Sequence, residues 1–291
     1  MFIATLIAAS GLGSSTVTEA YARLASVGCV PGDWRWVEEG EAADIPFASD
    51  PVAARAAIEG MFSATDIVVQ AEETRAKKLL VADMDSTMIT VECIDELADY
   101  AGIKPQIAEV TERAMRGELD FAAALDARVA LLAGLEEAMI DRCLAERVTI
   151  MPGAKALVRT MRAHGATTIL VSGGFTRFAE PVAREIGFDR AIANTLDLAD
   201  GRLIGTVGKP IVDAAVKQAT LEAAAEGMDR ALTMAVGDGA NDLAMIGVAG
   251  LGVAYHAKPV VAAAAGARID HNDLSALLFA QGYARSEWVG E

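Results

Sequence analysis

Apolar residues along this chain follow two rhythms. Short continuous apolar runs bounded by turn residues read as strands, and stretches with apolar residues every three or four positions read as helices. Residues 2–9, F-I-A-T-L-I-A-A, form the first such run. Gly11 and Gly13 turn the chain, and Ser14 or Ser15 is placed to cap a helix reaching Val27. Strand-like pieces follow near 33–38 and 44–47. A helix is expected over about 51–62, opened by Asp50-Pro51 with proline at its first position. Asp66-Ile-Val-Val-Gln70 then reads as a strand. The order βαββαβ describes a small α+β module. The polar stretch A-E-E-T-R-A-K-K at 71–78 marks the expected boundary between a domain over 1–72 and a second over 73–291.

The second part alternates. A strand over 78–83 precedes helical sequence reaching about 148, and Met151-Pro152-Gly153 breaks the chain. A helix over about 154–163, a strand over 167–172 and a helix over about 176–186 come next. Residues 193–207 read as a hairpin around Asp200-Gly201, a strong turn dipeptide. A helix at about 211–226, a strand at 231–236 and a short strand between Val248 and Ala254 complete the pattern. The fold class expected is therefore α/β. A Rossmann-like parallel sheet with helices on both faces carries an inserted helical cap at about 91–150, behind the small α+β domain. In such sheets ligands bind at the carboxyl ends of the strands.

That rule gives the polar residues at the strand ends their interest. The run L-L-V-A at 79–82 stops at Asp83, and Asp85 comes two positions on. Taken alone, two acids after a strand can mark a turn. The other strand ends change the picture, because Ser172-Gly173-Gly174 and Asp238 with Asn241 and Asp242 fall in the same crevice, within reach of Lys217 on the intervening helix. Four carboxylates brought together cost several kcal/mol or take up protons unless something compensates them. A hard divalent cation such as Mg²⁺ does so, and it accepts carboxylate and phosphate oxygens together. Ser172 and the glycine amides suit phosphate oxygens, and Lys217 supplies a point charge.

Composition narrows the partners. The 291 residues are 53% hydrophobic and 23% charged, enough apolar material for one large core or two ordinary ones. A net charge of −16 repels phosphate backbones, so neither nucleic acid nor an anionic membrane is expected as a partner. Three cysteines, widely spaced and without C-x-x-C, argue against a disulfide framework and fit a reducing cytoplasm. The three histidines, His164, His256 and His271, show no metal-binding spacing. No Lys or Arg precedes Arg23, so the first apolar run lacks the basic flank of a signal peptide and reads as a strand.

D-M-D-S-T at 83–87, V-S-G-G at 171–174, Lys217 in K-Q-A-T-L and G-D-G-A-N-D at 237–242 resemble, in order, the four motifs of the haloacid dehalogenase-like phosphatases. The resemblance implies Asp83 as nucleophile, forming an aspartyl-phosphate, and Asp85 as general acid and then base. It further implies Mg²⁺ held by Asp83, the Asp85 backbone carbonyl and Asp238, with Asn241 and Asp242 ordering the surroundings. Within that superfamily the chain is most similar to the phosphoserine phosphatases. Glu92 lies nine residues after Asp83, A-M-R-G-E-L-D-F at 114–121 matches the cap pattern, and Arg128-Val129 follows. This implies O-phosphoserine as substrate, with Glu92 on its ammonium, Arg128 on its carboxylate, and Met115 and Phe121 packing over the site. Independently, Phe121, Leu125, Arg128 and Leu132 share one helical face. The βαββαβ unit resembles an ACT-like regulatory module, for which packing or a homodimer contact is an equal reading. An enzyme for another small phosphate ester and an amino-acid sensor remain the competing assignments.

Overall fold

The strands and helices read from the sequence build two main sheets and a separate two-stranded hairpin. The structure, a computed structural model, describes residues 1–116 and 118–290, without the side chain of Met115. In chain order the first unit contains β1 (Phe2–Ala8), α1 (Ser14–Ser26), β2 (Arg35–Glu38), β3 (Ala42–Phe47), α2 (Pro51–Ile58) and β4 (Thr65–Ala71). They build an antiparallel sheet of order β2-β3-β1-β4. Its alternation is the period of two that a pleated strand imposes. Ala4, Leu6, Ala43, Ile45 and Ile67 are buried beneath α1 and α2. Ile7, Ala42 and Val68 on the opposite face join the core of the second unit. The capping expectation for α1 is corrected: Gly13 holds the N-cap position without a side-chain bond, and Ser14 and Ser15 already lie in the first turn. For α2, Asp50 accepts from the Ala53 amide as the sequence implied.

The second unit opens with β5 (Leu79–Ala82) and then a group of helices, α3 (Cys93–Tyr100), α4 (Lys104–Met115), α5 (Phe121–Leu131) and α6 (Glu137–Arg147). It continues through α7 (Ala154–Ala163), β6 (Thr167–Phe175), α8 (Thr176–Ile186), β7 (Arg190–Asn194), β8 (Leu196–Ala199), β9 (Arg202–Val207) and α9 (Ala214–Ala224). The last elements are β10 (Thr233–Gly237), α10 (Leu243–Val248), β11 (Leu251–Tyr255), α11 (Pro259–Ala264), β12 (Ala267–Ile269) and α12 (Ala276–Gln281). Six strands pair in parallel in the order β12-β11-β10-β5-β6-β7, the doubly wound arrangement expected of strands alternating with helices.

Two elements depart from the sequence expectation. Residues 190–194 form a strand of the main sheet instead of the start of the hairpin, and β12 forms the far edge. The hairpin β8–β9 is present, and it leans on the inserted helices. Leu203 exchanges backbone hydrogen bonds with Gly134 and Leu135, and Lys209 pairs with Asp126 at 2.8 Å. Among the described residues no helix is long and apolar enough to cross a membrane.

The units meet along a polar seam. The Asp66 carboxylate accepts from the backbone amides of Asp270, His271 and Asn272 and from the Asn272 side chain. Asp44 accepts from Thr5 and pairs with Arg75 at 2.6 Å. Arg75 in turn donates to the carbonyls of Phe279 and Ala280 at the end of α12.

Candidate active site

The central strand, β5, ends between β10 and β6, so three strand ends converge. Asp83 continues β5, its amide donating to the Val236 carbonyl of β10 at 3.0 Å. Asp238 follows β10, and Ser172 lies in β6. The resulting cavity, of about 120 Å³, is lined by Asp83, Asp85, Glu92, Phe121, Arg128, Ser172, Gly173, Asp238, Asn241 and Lys258, among others.

Its electrostatics are dominated by acids. Lys217, only 1% exposed, sits behind Asp83 on α9 and contacts Asp83 Oδ1 at 2.6 Å and Asp242 Oδ1 at 2.7 Å. Burial alone would lower the lysine pKa; the two carboxylates outweigh it and raise it, so the ammonium is a fixed positive charge. Lys217 is therefore held between carboxylates and is not part of the cavity wall. Asp242 accepts from the Gly239 amide at 3.0 Å. Burial and the charge of Asp83 push its pKa up against the pull of Lys217. A side chain at Gly237 would collide with the Asp242 carboxylate, so the close turn of G-D-G requires glycine there.

Asp85 differs from its neighbours. Burial first, then the charges of Glu92 and Asp83, hold its carboxyl well above the usual carboxylate range. Oδ2 accepts weakly from the Cys93 amide at 3.4 Å, and Oδ1 is buried with no hydrogen-bond partner. Asp238 is pushed up to about 6 by burial and by Asp83 and Glu92, while Thr87 donates to it at 3.1 Å. One oxygen each from Asp83, Asp238 and Asp242 lies within 4.8 Å of the others. An all-oxygen carboxylate set with one neutralising lysine and one orphaned buried oxygen fits a hard divalent cation.

The inserted helices supply the other wall. Glu92 occupies the N-cap position of α3, where its charge favours the helix dipole, and its Oε1 accepts from Ser86 Oγ at 2.7 Å. Ser86 adopts φ +55°, a left-handed conformation that tightens the loop between Asp85 and α3. Arg128 and Phe121 come from α5, and Leu125 between them lines the same cavity. Leu132 is instead buried in the core. Burial lowers the Arg128 pKa against the opposing charges of Asp95, Glu92 and Asp85. Phe121 is 37% exposed, and its ring edge would meet a β-carbon on Gly173 at 3.0 Å. The side chain of Met115 lies outside the described residues. The structure thus gathers Asp83, Asp85, Glu92, Phe121, Arg128, Ser172, Gly173, Asp238 and Asn241 around one cavity, with Lys217 and Asp242 directly behind it.

Sequence reasoning missed Lys258. It follows β11, and its amide donates to the Asp238 carbonyl at 3.2 Å. The strand-end rule, applied to the final strand as it was to the earlier ones, would have placed it at the cavity.

A family model described as haloacid dehalogenase-like hydrolase matches residues 80–247, and a second of the same description matches residues 215–280. The chain belongs to the haloacid dehalogenase-like hydrolases. Within that family it is similar to a phosphoserine phosphatase of Streptomyces coelicolor, 46% identical over 82% of this chain and 59% of the relative. A phosphoserine phosphatase of Streptococcus thermophilus is 46% identical over 69% of this chain and 94% of its own length. The crystal structure of a probable phosphoserine phosphatase from Vibrio cholerae superposes with a TM-score of 0.79 at 33% identity, covering 98% of this chain and 87% of the other. The chain spans 59%, 52% and 64% of the length of the first three curated relatives it matches.

Proposed function

We propose that the chain is a Mg²⁺-dependent phosphoserine phosphatase, hydrolysing O-phosphoserine to serine and phosphate as the last step of serine formation. The observation that carries this reading is the pairing of Asp83 and Asp85 at one strand end with Glu92 and Arg128 on the facing helices of the same cavity. The first pair suits phosphoryl transfer. The second suits an ammonium and a carboxylate, for which Arg offers a bidentate fork. The relatives named phosphoserine phosphatase support the same substrate.

In this reading the Asp83 carboxylate attacks phosphorus, forming an acyl-phosphate bond as the bond from phosphorus to the seryl oxygen breaks. Burial and the charges of Glu92 and Asp83 hold the Asp85 carboxyl well above the usual carboxylate range, which favours its protonated form, so it can give that proton to the departing oxygen. Asp85, now ionised, takes a proton from the water that splits the acyl-phosphate, which frees phosphate and restores Asp83. Ser172 and the Gly173 backbone hold phosphoryl oxygens. Lys217 steadies Asp83, and Asn241 and Asp242 order the acid cluster. Phe121 excludes water. Asp83, the Asp85 carbonyl and Asp238 would hold Mg²⁺, which would supply positive charge to the phosphoryl oxygens.

The unit over 1–72 is assigned as an ACT-like domain and 73–291 as the phosphatase domain with its cap at about 91–150. The three cysteines, buried and free, support work in a reducing cytoplasm. The test is phosphate release from O-phosphoserine with Mg²⁺, set beside chelator and Asp83→Asn controls. Metal-dependent release that disappears in the variant supports the proposal. Release from aryl phosphate but not from phosphoserine would overturn the roles of Glu92 and Arg128 and keep the Asp83 chemistry.

A further inference from the structure

The strand β7 ends at Asn194, which is 2% exposed and touches two parts of the site without lining the cavity. Its Nδ2 donates to the Gly173 carbonyl at 2.8 Å, and its Oδ1 accepts from the Val212 amide at 2.7 Å. A carbonyl can only accept and an amide N–H can only donate, so these two partners fix which way the side chain faces.

The consequence passes along one peptide unit. The Gly173 carbonyl shares its plane with the Gly174 N–H, and in a trans peptide the two point in opposite directions. Drawing the carbonyl towards Asn194 turns the Gly174 N–H the other way, and that N–H donates to Ser172 Oγ at 2.9 Å. The Ser172 oxygen is thereby an acceptor within its own loop. A hydroxyl carries a single hydrogen. Among the described residues no acceptor takes the Ser172 hydrogen, and Ser172 lines the cavity beside Asp83 and Asp85. The other end of Asn194 holds Val212 just before α9, the helix of Lys217. One buried amide therefore ties the phosphate-facing loop to the helix that backs the nucleophile.

We propose that Asn194 is a positioning residue for phosphate recognition, setting the polarity of the Ser172–Gly174 loop so that the Ser172 hydroxyl donates into the cavity. The role rests on the phosphatase reading, since it needs an anionic phosphoryl oxygen at that place. A residue that merely closed the root of the β8–β9 hairpin would act independently of Ser172.

Four full-length proteins separate these cases: the wild type, Asn194→Asp, Ser172→Ala and the double variant. Each is assayed with Mg²⁺ for p-nitrophenyl phosphate turnover and for competitive inhibition by inorganic phosphate. Asn194→Asp keeps an acceptor for Val212 and sets a second acceptor against the Gly173 carbonyl. The expected result is a rise of about tenfold in both KM and the phosphate inhibition constant, a loss typical of one buried hydrogen bond. The double variant should be within about twofold of Ser172→Ala alone, the non-additivity of residues acting through one contact. Losses that multiply, or an unchanged phosphate inhibition constant, would overturn the role of Asn194 and leave the phosphatase reading standing. A wild type that cleaves no phosphate ester would overturn that reading, and this role with it. If Asn194→Asp does not fold, Asn194→Ser removes the same donor without adding charge and completes the same cycle.

Discussion

Two carboxylates in this molecule are treated in opposite ways. Asp66, in the seam between the units, accepts from three backbone amides and one side-chain amide. Asp85, in the cavity, has one weak donor and one oxygen with no partner, and like charges beside it. Removing a carboxylate from water is costly, and hydrogen bonds offset that cost where stability is the need. At Asp85 the cost is left standing and emerges as a raised pKa, which is what a proton donor at neutral pH requires. The seam spends its polar groups on holding two units together, and the cavity keeps some of its own in reserve for a ligand.

This contrast can be broken by substitution. The largest effect is expected from Asp83→Asn, which should reduce phosphoserine turnover by about 10⁴-fold or more, the scale of losing a nucleophile. The thermal midpoint should change little, because the amide oxygen can still accept from Lys217 and the Asp242 carboxylate remains as its counter-charge. Substantial turnover, or a collapse of the midpoint, would contradict the division between cavity and seam. Asp66→Ala should do the reverse. It strands several buried donors, so a loss of about 3 kcal/mol in denaturant-measured stability is expected, with per-molecule activity nearly intact. A mild effect would mean that the seam is not held as described.

Next in size is Arg128→Ala. One charge-assisted contact corresponds to roughly 10–100-fold, expected in kcat/KM for phosphoserine and largely absent for an aryl phosphate that lacks a carboxylate. Equal losses on both substrates would show that Arg128 organises the cavity instead of reading the substrate.

The smallest effect concerns pH. Asp238 is raised to about 6 in the folded chain from a reference of 3.8. Its protonated form therefore contributes stability that is fully present below the reference value and is lost as pH rises through about 6. A cation that needs the ionised form should act in the opposite sense. The rise in thermal midpoint on replacing chelator with Mg²⁺ should be larger at pH 7 than at pH 5, and Asp238→Asn should flatten that difference. A midpoint shift independent of pH would remove Asp238 from the cation site.

Much of the cavity was legible in the sequence because its residues sit at fixed offsets from strand ends. D-M-D after an apolar run, S-G-G closing another and G-D-G-A-N-D closing a third need only the alternation of strands and helices to converge. The arginine face of α5 was readable because Phe121, Leu125 and Arg128 keep a helical spacing. The seam was not legible. Asp66 looks like any strand-opening acid until residues some two hundred positions away fold against it. The strand β12 is only Ala267–Ile269, too short to display a period of two, and β7 merged with the hairpin that follows it at once. Asn194 carries no local signal either, because its two partners lie in Gly173 and Val212.

The seam also has a bearing on how the chain must be made. Asp66 closes on Asp270–Asn272, Gln70 donates to the Ala280 carbonyl, and Glu41 pairs with Arg285. The strands β1–β4 therefore leave the ribosome about two hundred residues before the segment that covers their second face. At the elongation rates of cells, roughly 5–20 residues per second, Ile7, Ala42 and Val68 wait on the order of ten seconds or more for their cover. Until then those apolar side chains and the Asp66 carboxylate beside them are without their cover. Shortening the protein by its last twenty or so residues should make that interval permanent, so such a truncation is expected to collect in inclusion bodies even though every strand of the cavity is intact.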